Sequence, residues 1–182
     1  MHGDESIDSE LEVLSRKVRE LEDKEDIRDL LTRYGYNADL GRFDEFLGTL
    51  TDDCVWDLSG GLRLPDGGVE GSEVAIGHEE ARRVVTGAGH AAIVRREQHL
   101  MVNFIIDVRG DEATAIGQLA VTTNTPIGFG LATCRMVRAK LIRSDRGWLI
   151  REIVFREIGA PDCEQVIAGT GLLDIHRLPV GF

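Results

Sequence analysis

The sequence is poor in the features that announce a particular chemistry. Its three cysteines, Cys54, Cys134 and Cys163, are far apart and form no C-x-x-C pair. Neither a disulfide framework nor a cysteine-rich zinc module fits that pattern, and the thiols read as reduced. There are only ten aromatic residues (two Trp, two Tyr, six Phe), and the formal net charge is −11. An acidic chain repels phosphate backbones and has few rings to stack on bases, so no nucleic-acid partner is expected. No apolar run approaches the roughly 20 residues that span a bilayer, so no membrane partner is expected either. The start, MHGDESIDSE, lacks the basic end and apolar stretch of a signal peptide, which predicts a cytoplasmic protein. Neither G-x-x-x-x-G-K-[ST] nor G-x-S-x-G occurs. Gly87-Ala-Gly89-His-Ala-Ala92 imitates a dinucleotide fingerprint, but it follows a helical pattern and opens a strand pattern, the reverse of the required order. The five histidines, His2, His78, His90, His99 and His176, include no H-E-x-x-H and no close pair, so no metal site is expected.

What is present describes one globular domain. The 182 residues are 42% hydrophobic and 29% charged, enough for a core without staples. The segment from Ser9 to Leu40 is helical in period. Leu11, Leu14, Val18 and Leu21 recur at three- and four-residue steps, and Ile27, Leu30, Leu31 and Tyr34 continue the run. This predicts one amphipathic helix, or two joined near Asp23–Lys24, stopped at Gly41. Phe43 to Leu50 predicts a short helix and Cys54 to Leu58 a short strand. Residues 60–77, with six glycines and Pro65, predict a loop with one hairpin around Asp66-Gly67-Gly68. Glu79 to Thr86 predicts another helix. Four strands follow: Gln98–Val108, Ala113–Thr123, Leu131–Arg143 and Trp148–Glu157. Helices followed by consecutive strands imply an α+β fold with a mostly antiparallel sheet. Three parts are expected: a helical extension over 1–20, a domain over 21–158, and a tail over 159–182 that covers the pocket through Leu172, Leu173, Ile175 and Leu178.

Two residues attract functional interest. Asp39 falls in the last turn of the long helix, where the negative end of the helix dipole disfavours a carboxylate. His99 falls near the start of a strand in which alternation sets His99, Met101, Asn103, Ile105 and Asp107 on one face. Leu100, Val102, Phe104 and Ile106 then form an apolar second face. At roughly 3.3 Å per residue, His99 and Asn103 would stand about 13 Å apart along one cavity wall. An apolar pocket with a few placed polar groups suits a small molecule. Arg135, Arg151 and Arg156 lie on late strands, where one facing inward could hold a carboxylate. Trp56 and Trp148 read as core, with Trp56 available to the pocket wall.

The chain resembles the SnoaL-like branch of the nuclear-transport-factor-2-like superfamily. The string Leu21-Glu-Asp-Lys-Glu-Asp-Ile-Arg-Asp-Leu-Leu-Thr-Arg-Tyr34, continued by Asn37-Ala-Asp39-Leu-Gly41-Arg-Phe43-Asp44, is similar to the family's first helices. Leu50-Thr-Asp-Asp-Cys-Val-Trp-Asp57 is similar to its helix-to-strand junction. Gly77-His-Glu-Glu-Ala81, Gln98-His99-Leu-Met-Val-Asn103, Gly110-Asp111-Glu-Ala-Thr-Ala115 and Gly147-Trp148-Leu-Ile150 follow in the family's order. The resemblance implies a cone-shaped α+β barrel, a strongly curved sheet wrapped around N-terminal helices. It also implies a homo-oligomer, dimer or trimer. Dehydratases of this superfamily pair an early-helix aspartate or tyrosine with a strand histidine, and Asp39 and His99 hold the matching positions. Tyr34, Tyr36 and Asn103 match substrate-orienting positions. The fourth strand lacks the acidic and aromatic residues of many relatives, and a second strand histidine is missing, which counts against a scytalone-type reaction.

The expected chemistry is cofactor-independent proton transfer on a small cyclic oxygenated substrate. A histidine titrates near neutrality, and a carboxylate partner fixes its tautomer and stabilises its charged form. A dehydratase or isomerase uses these parts, and a polyketide-cyclase-like enzyme would use them in a larger pocket. A non-catalytic ligand-binding or dimerisation module remains the third reading, since fold alone does not assign function.

Overall fold

A computed structural model describes residues 4–59, 62–63, 69–70, 74–125 and 128–173. It begins with one uninterrupted helix, α1 (Asp4–Leu40), with no break at Asp23–Lys24. Gly41 ends it with φ +68°, a left-handed conformation that costs glycine little. The Gly41 N–H donates to Ala38 O (3.2 Å) and the Arg42 N–H to Asn37 O (2.9 Å), so the last turn of the helix is closed by hydrogen bonds. The two apolar runs of α1 have different fates. Ile27, Leu30, Leu31, Tyr34 and Ala38 are buried, whereas Leu11, Leu14, Val18 and Leu21 are at least half exposed.

A short helix, α2 (Phe43–Leu47), leads into β1 (Leu50–Asp57), so this strand starts four residues earlier than expected. The glycine-rich stretch contains the expected hairpin, β2 (Leu62–Arg63) paired with β3 (Val69–Glu70). It also contains β4 (Val74–Ile76), which pairs antiparallel with β1. Next come α3 (Gly77–Val85) and α4 (Ala88–Ile93), the latter where no element was expected. The long strands are β5 (Glu97–Arg109), β6 (Glu112–Thr125), β7 (Gly128–Ser144) and β8 (Gly147–Glu157). They join β1 and β4 in a six-stranded sheet in the order β4-β1-β8-β7-β6-β5. The sheet is mixed, because β1 runs parallel to β8, and it does not close: β4 and β5 are its edges.

The inner face of the sheet carries the core. Val137, Ala139 and Leu141 of β7, Ile150, Ile153 and Phe155 of β8, and Cys54 and Trp56 of β1 pack with Ile27, Leu31 and Tyr34 of α1. α1 is pinned at the sheet's corner by Asp23, whose carboxylate accepts from Arg143 Nη2 (2.8 Å) and Trp148 Nε1 (3.2 Å). After β8, α5 (Cys163–Ile167) is the last element among the described residues. Arg138 Nη1, on the face opposite Val137 and Ala139, donates to Val166 O. This part of the tail therefore lies over the outer face of the sheet. Ile175 and Leu178, expected over the pocket, fall outside the described residues.

Strict alternation fails in β5. Asn103 has φ +57°, and the register with β6 shifts between Val102 and Ile105, which marks a β-bulge. Asparagine tolerates the left-handed region better than most residues, and here it takes it. Beyond the bulge the faces exchange. His99 and Met101 share the inner face with Phe104, Ile106 and Val108, while Leu100, Val102, Asn103 and Ile105 are exposed. The Phe104 ring covers Gly117, where an added Cβ would stand 2.6 Å from it.

Candidate active site

The site begins with a close approach of α1 to β5. At Gly35 an added Cβ would lie 2.9 Å from the His99 carbonyl oxygen, so the helix rests on the strand backbone. One turn later Asp39 reaches the same strand residue. The His99 N–H nitrogen lies 3.0 Å from each Asp39 carboxylate oxygen, and His99 Nδ1 lies 2.6 Å from Oδ1. Both side chains are largely buried, 12% exposed for Asp39 and 18% for His99. A ring that donates from Nδ1 to a carboxylate leaves Nε2 as its acceptor when neutral.

His99 opens onto a cavity of about 400 Å³ between the helices and the inner face of the sheet. Tyr34, Ala38 and Phe46 line one side, Leu119, Val121 and Phe155 another, with Trp56, Leu58 and Val84 between them. Rings hold this wall together: the Tyr34 and Phe46 centroids are 4.8 Å apart, and those of Phe46 and Trp56 5.4 Å. Burial pushes the Tyr34 phenol well above its ordinary range, so the hydroxyl keeps its proton.

Polar groups are few in this wall, and several have no partner. Among the described residues, His90 Nε2, Thr133 Oγ1 and Arg135 Nε are buried without a hydrogen bond, and all three residues line the cavity. Buried polar atoms are normally satisfied, so orphans converging on one cavity mark a place for a polar ligand or ordered water. Arg135 is 9% exposed, and burial lowers its pKa, with Glu157 opposing. Glu157 is its cross-strand neighbour on β8. Burial also holds His90 below the ordinary histidine range, assisted by His99 and opposed by a hydrogen bond to the Ala38 backbone. Glu97, two residues before His99, is raised by burial, with His99 opposing.

The residues singled out from the sequence separate accordingly. Asp39 and His99 meet, and Tyr34, Trp56 and His99 line the cavity, with Met101 packed against the core beside them. Tyr36 is 64% exposed and stands outside. Asn103 is also outside, because the bulge turns it to the outer face, where its Nδ2 donates to Gln118 Oε1. Of the three late-strand arginines, Arg135 lines the cavity and the other two do not. Arg156 is paired with Asp57 (2.8 Å) and Asp162 (2.6 Å), and Arg151 is exposed. Among the described residues, no three His, Cys, Asp or Glu side chains gather to hold a metal ion, and no helix is long and apolar enough to cross a membrane.

The model of the SnoaL-like domain matches residues 19–154. The chain belongs to the SnoaL-like family. No curated protein matches it. Among solved structures, an NTF2-like protein with a cystatin-like fold from Novosphingobium aromaticivorans is similar at 24% identity and TM-score 0.73, over 85% of this chain and 94% of that one. A Catenulispora acidiphila protein in complex with S-DNPA has 21% identity and TM-score 0.61, over 74% and 92%. A Novosphingobium aromaticivorans protein named as a scytalone dehydratase candidate has 17% identity and TM-score 0.61, over 76% and 85%.

Two cavity groups of this SnoaL-like domain escape sequence reasoning. Glu97 has the parity of His99, but the strand expected from the sequence starts one residue too late to include it. His90 sits on α4, which the Gly-Ala-Gly string at its start conceals, and no periodic signal marks it.

Proposed function

We propose that this SnoaL-like domain is a cofactor-independent lyase or isomerase for a small cyclic oxygenated compound, with His99 as base and Asp39 as its positioning partner. One observation carries the reading: the 2.6 Å Asp39–His99 contact at the wall of an apolar cavity with unsatisfied polar groups. His99 Nε2 takes the proton from a carbon next to a carbonyl, and the electron pair of that C–H bond moves toward the carbonyl oxygen. Asp39 stabilises the imidazolium that forms. Arg135 holds the oxygen that gains charge, where exclusion of water strengthens its pull. In a dehydration the electron pair returns to form the C=C bond, the C–O bond of a β-hydroxyl breaks, and the His99 proton leaves with it as water. In an isomerisation the same proton is returned to a different carbon. The neighbour named as a scytalone dehydratase candidate supports this class of reaction.

The test is a panel of cyclic β-hydroxyketones in D2O, followed by NMR for deuterium at the α-carbon and for loss of water. The wild type should act on at least one member. His99→Ala should lose on the order of 10²–10⁴-fold, and Arg135→Leu should lose activity while keeping its fold. Panel members that bind the wild type and undergo neither exchange nor dehydration would leave a ligand-binding module.

A further inference from the structure

The first two dozen residues of α1 play no part in the site, yet they carry a regular apolar pattern. Ile7, Leu11, Leu14, Val18 and Leu21 alternate in steps of four and three, a strict 3.5-residue repeat. All five are at least half exposed. They do not continue the stripe that packs on the sheet. At about 100° per residue, their mean direction is roughly 160° from that of Ile27, Leu30, Leu31, Tyr34 and Ala38. The helix thus uses one face for its own core and presents nearly the opposite face, further along, to nothing in the described chain. Asp23 is where it meets the body, through Arg143 and Trp148. Residues 4–22 extend about 28 Å beyond, at 1.5 Å per residue.

We propose that this seam pairs with the same seam of a second copy as a short parallel coiled coil. Leu11 and Val18 take the a positions, and Ile7, Leu14 and Leu21 the d positions. Val18 at a between Leu14 and Leu21 at d is the combination that favours a parallel dimer, and it lies next to the body, whereas Leu11 at a beside Ile7 at d, the combination of higher orders, lies at the far end. The flanking charges specify the same arrangement. Lys17 stands at g and Glu22 at the following e, and in a parallel pair these face each other across the seam twice, once on each side. An antiparallel pair, in which e faces e and g faces g, would set Glu10 against Lys17 or Lys24 but leave Glu22 without a cation and one of the five apolar residues without a partner, so the parallel register is the one that joins all five layers. Two and a half heptads are few for free peptides, because starting a helix is costly. Here the helix is already started by the buried half of α1, and only the seam remains to be formed.

The experiment is sedimentation equilibrium of the full chain over concentrations of about 1–100 µM, the range in which weak dimers form and dissociate. The wild type should reach at least twice the 20.1 kDa chain mass, and Leu14→Asp with Val18→Asp should halve the observed mass. Both positions are exposed, so an unchanged thermal transition would show the body intact. Lys17→Glu should raise the dissociation constant on the order of tenfold, and adding Glu22→Lys should restore it. A wild type that stays monomeric, an assembly that ignores the aspartates, or a double exchange that fails to restore pairing would each overturn the proposal.

Discussion

Replacing Gly35 with alanine tests whether the helix–strand contact sets the Asp39–His99 geometry. The new Cβ would begin 2.9 Å from the His99 carbonyl oxygen, against an ordinary contact of 3.4 Å or more. That neighbour is backbone and cannot swing aside, so α1 must withdraw by about 0.5 Å. Asp39 travels with it. The contact with Nδ1 lengthens from 2.6 Å to about 3.1 Å, leaving the charge-assisted range. The two contacts with the His99 N–H go from 3.0 Å to about 3.5 Å and cease to be hydrogen bonds. Stability should respond less than geometry. Alanine gains about 1 kcal/mol over glycine within a helix, and overpacking costs about 1–3 kcal/mol. The net change is a loss of zero to about 2 kcal/mol, a fall in melting temperature of up to about 8 °C. In the NMR spectrum the His99 Nδ1–H resonance should move upfield from its strongly hydrogen-bonded position. An unmoved resonance with a rise in melting temperature of about 2–4 °C, the full propensity gain without strain, would refute the reasoning.

Two other perturbations address the frame around the site. The Arg143 hydrogen bond holds the Asp23 carboxyl below its usual range, burial opposes, and Trp148 assists. Because the folded-state pKa is the lower one, this stabilisation is present above the unfolded value of about 3.9 and is lost as pH falls through the folded value. Melting curves of the wild type should therefore lie above those of Asp23→Asn at neutral pH, and the gap should close as the pH drops below about 4; a constant gap would contradict the assignment. At Asn103, φ +57° strongly disfavours β-branched residues, so Asn103→Val should cost about 1–2 kcal/mol in urea unfolding. A valine accommodated at this position without loss would mean that the bulge is not pinned by its backbone conformation.

Much of this molecule follows from sequence because it depends on local period and chemistry. Residues 97–157 alternate strongly enough to place four strands and their turns within a few residues, and Gly41 marks the helix end by its conformational freedom. Asp39 and His99 could be paired from the resemblance, through the order of the helix and strand strings around them. What local pattern cannot carry is the phase of a strand once a residue is inserted. Unbroken alternation would put Asn103 on the face of His99, and one left-handed residue reverses it. The parallel pairing of β1 with β8, the choice of Arg135 over Arg151 and Arg156, and the arrival of His90 from a short helix were likewise decided in three dimensions. Each depends on which surfaces meet across long separations in the chain. The exposed heptad shows the same division: its spacing is written in the sequence, but only the fold reveals that the body leaves that face uncovered.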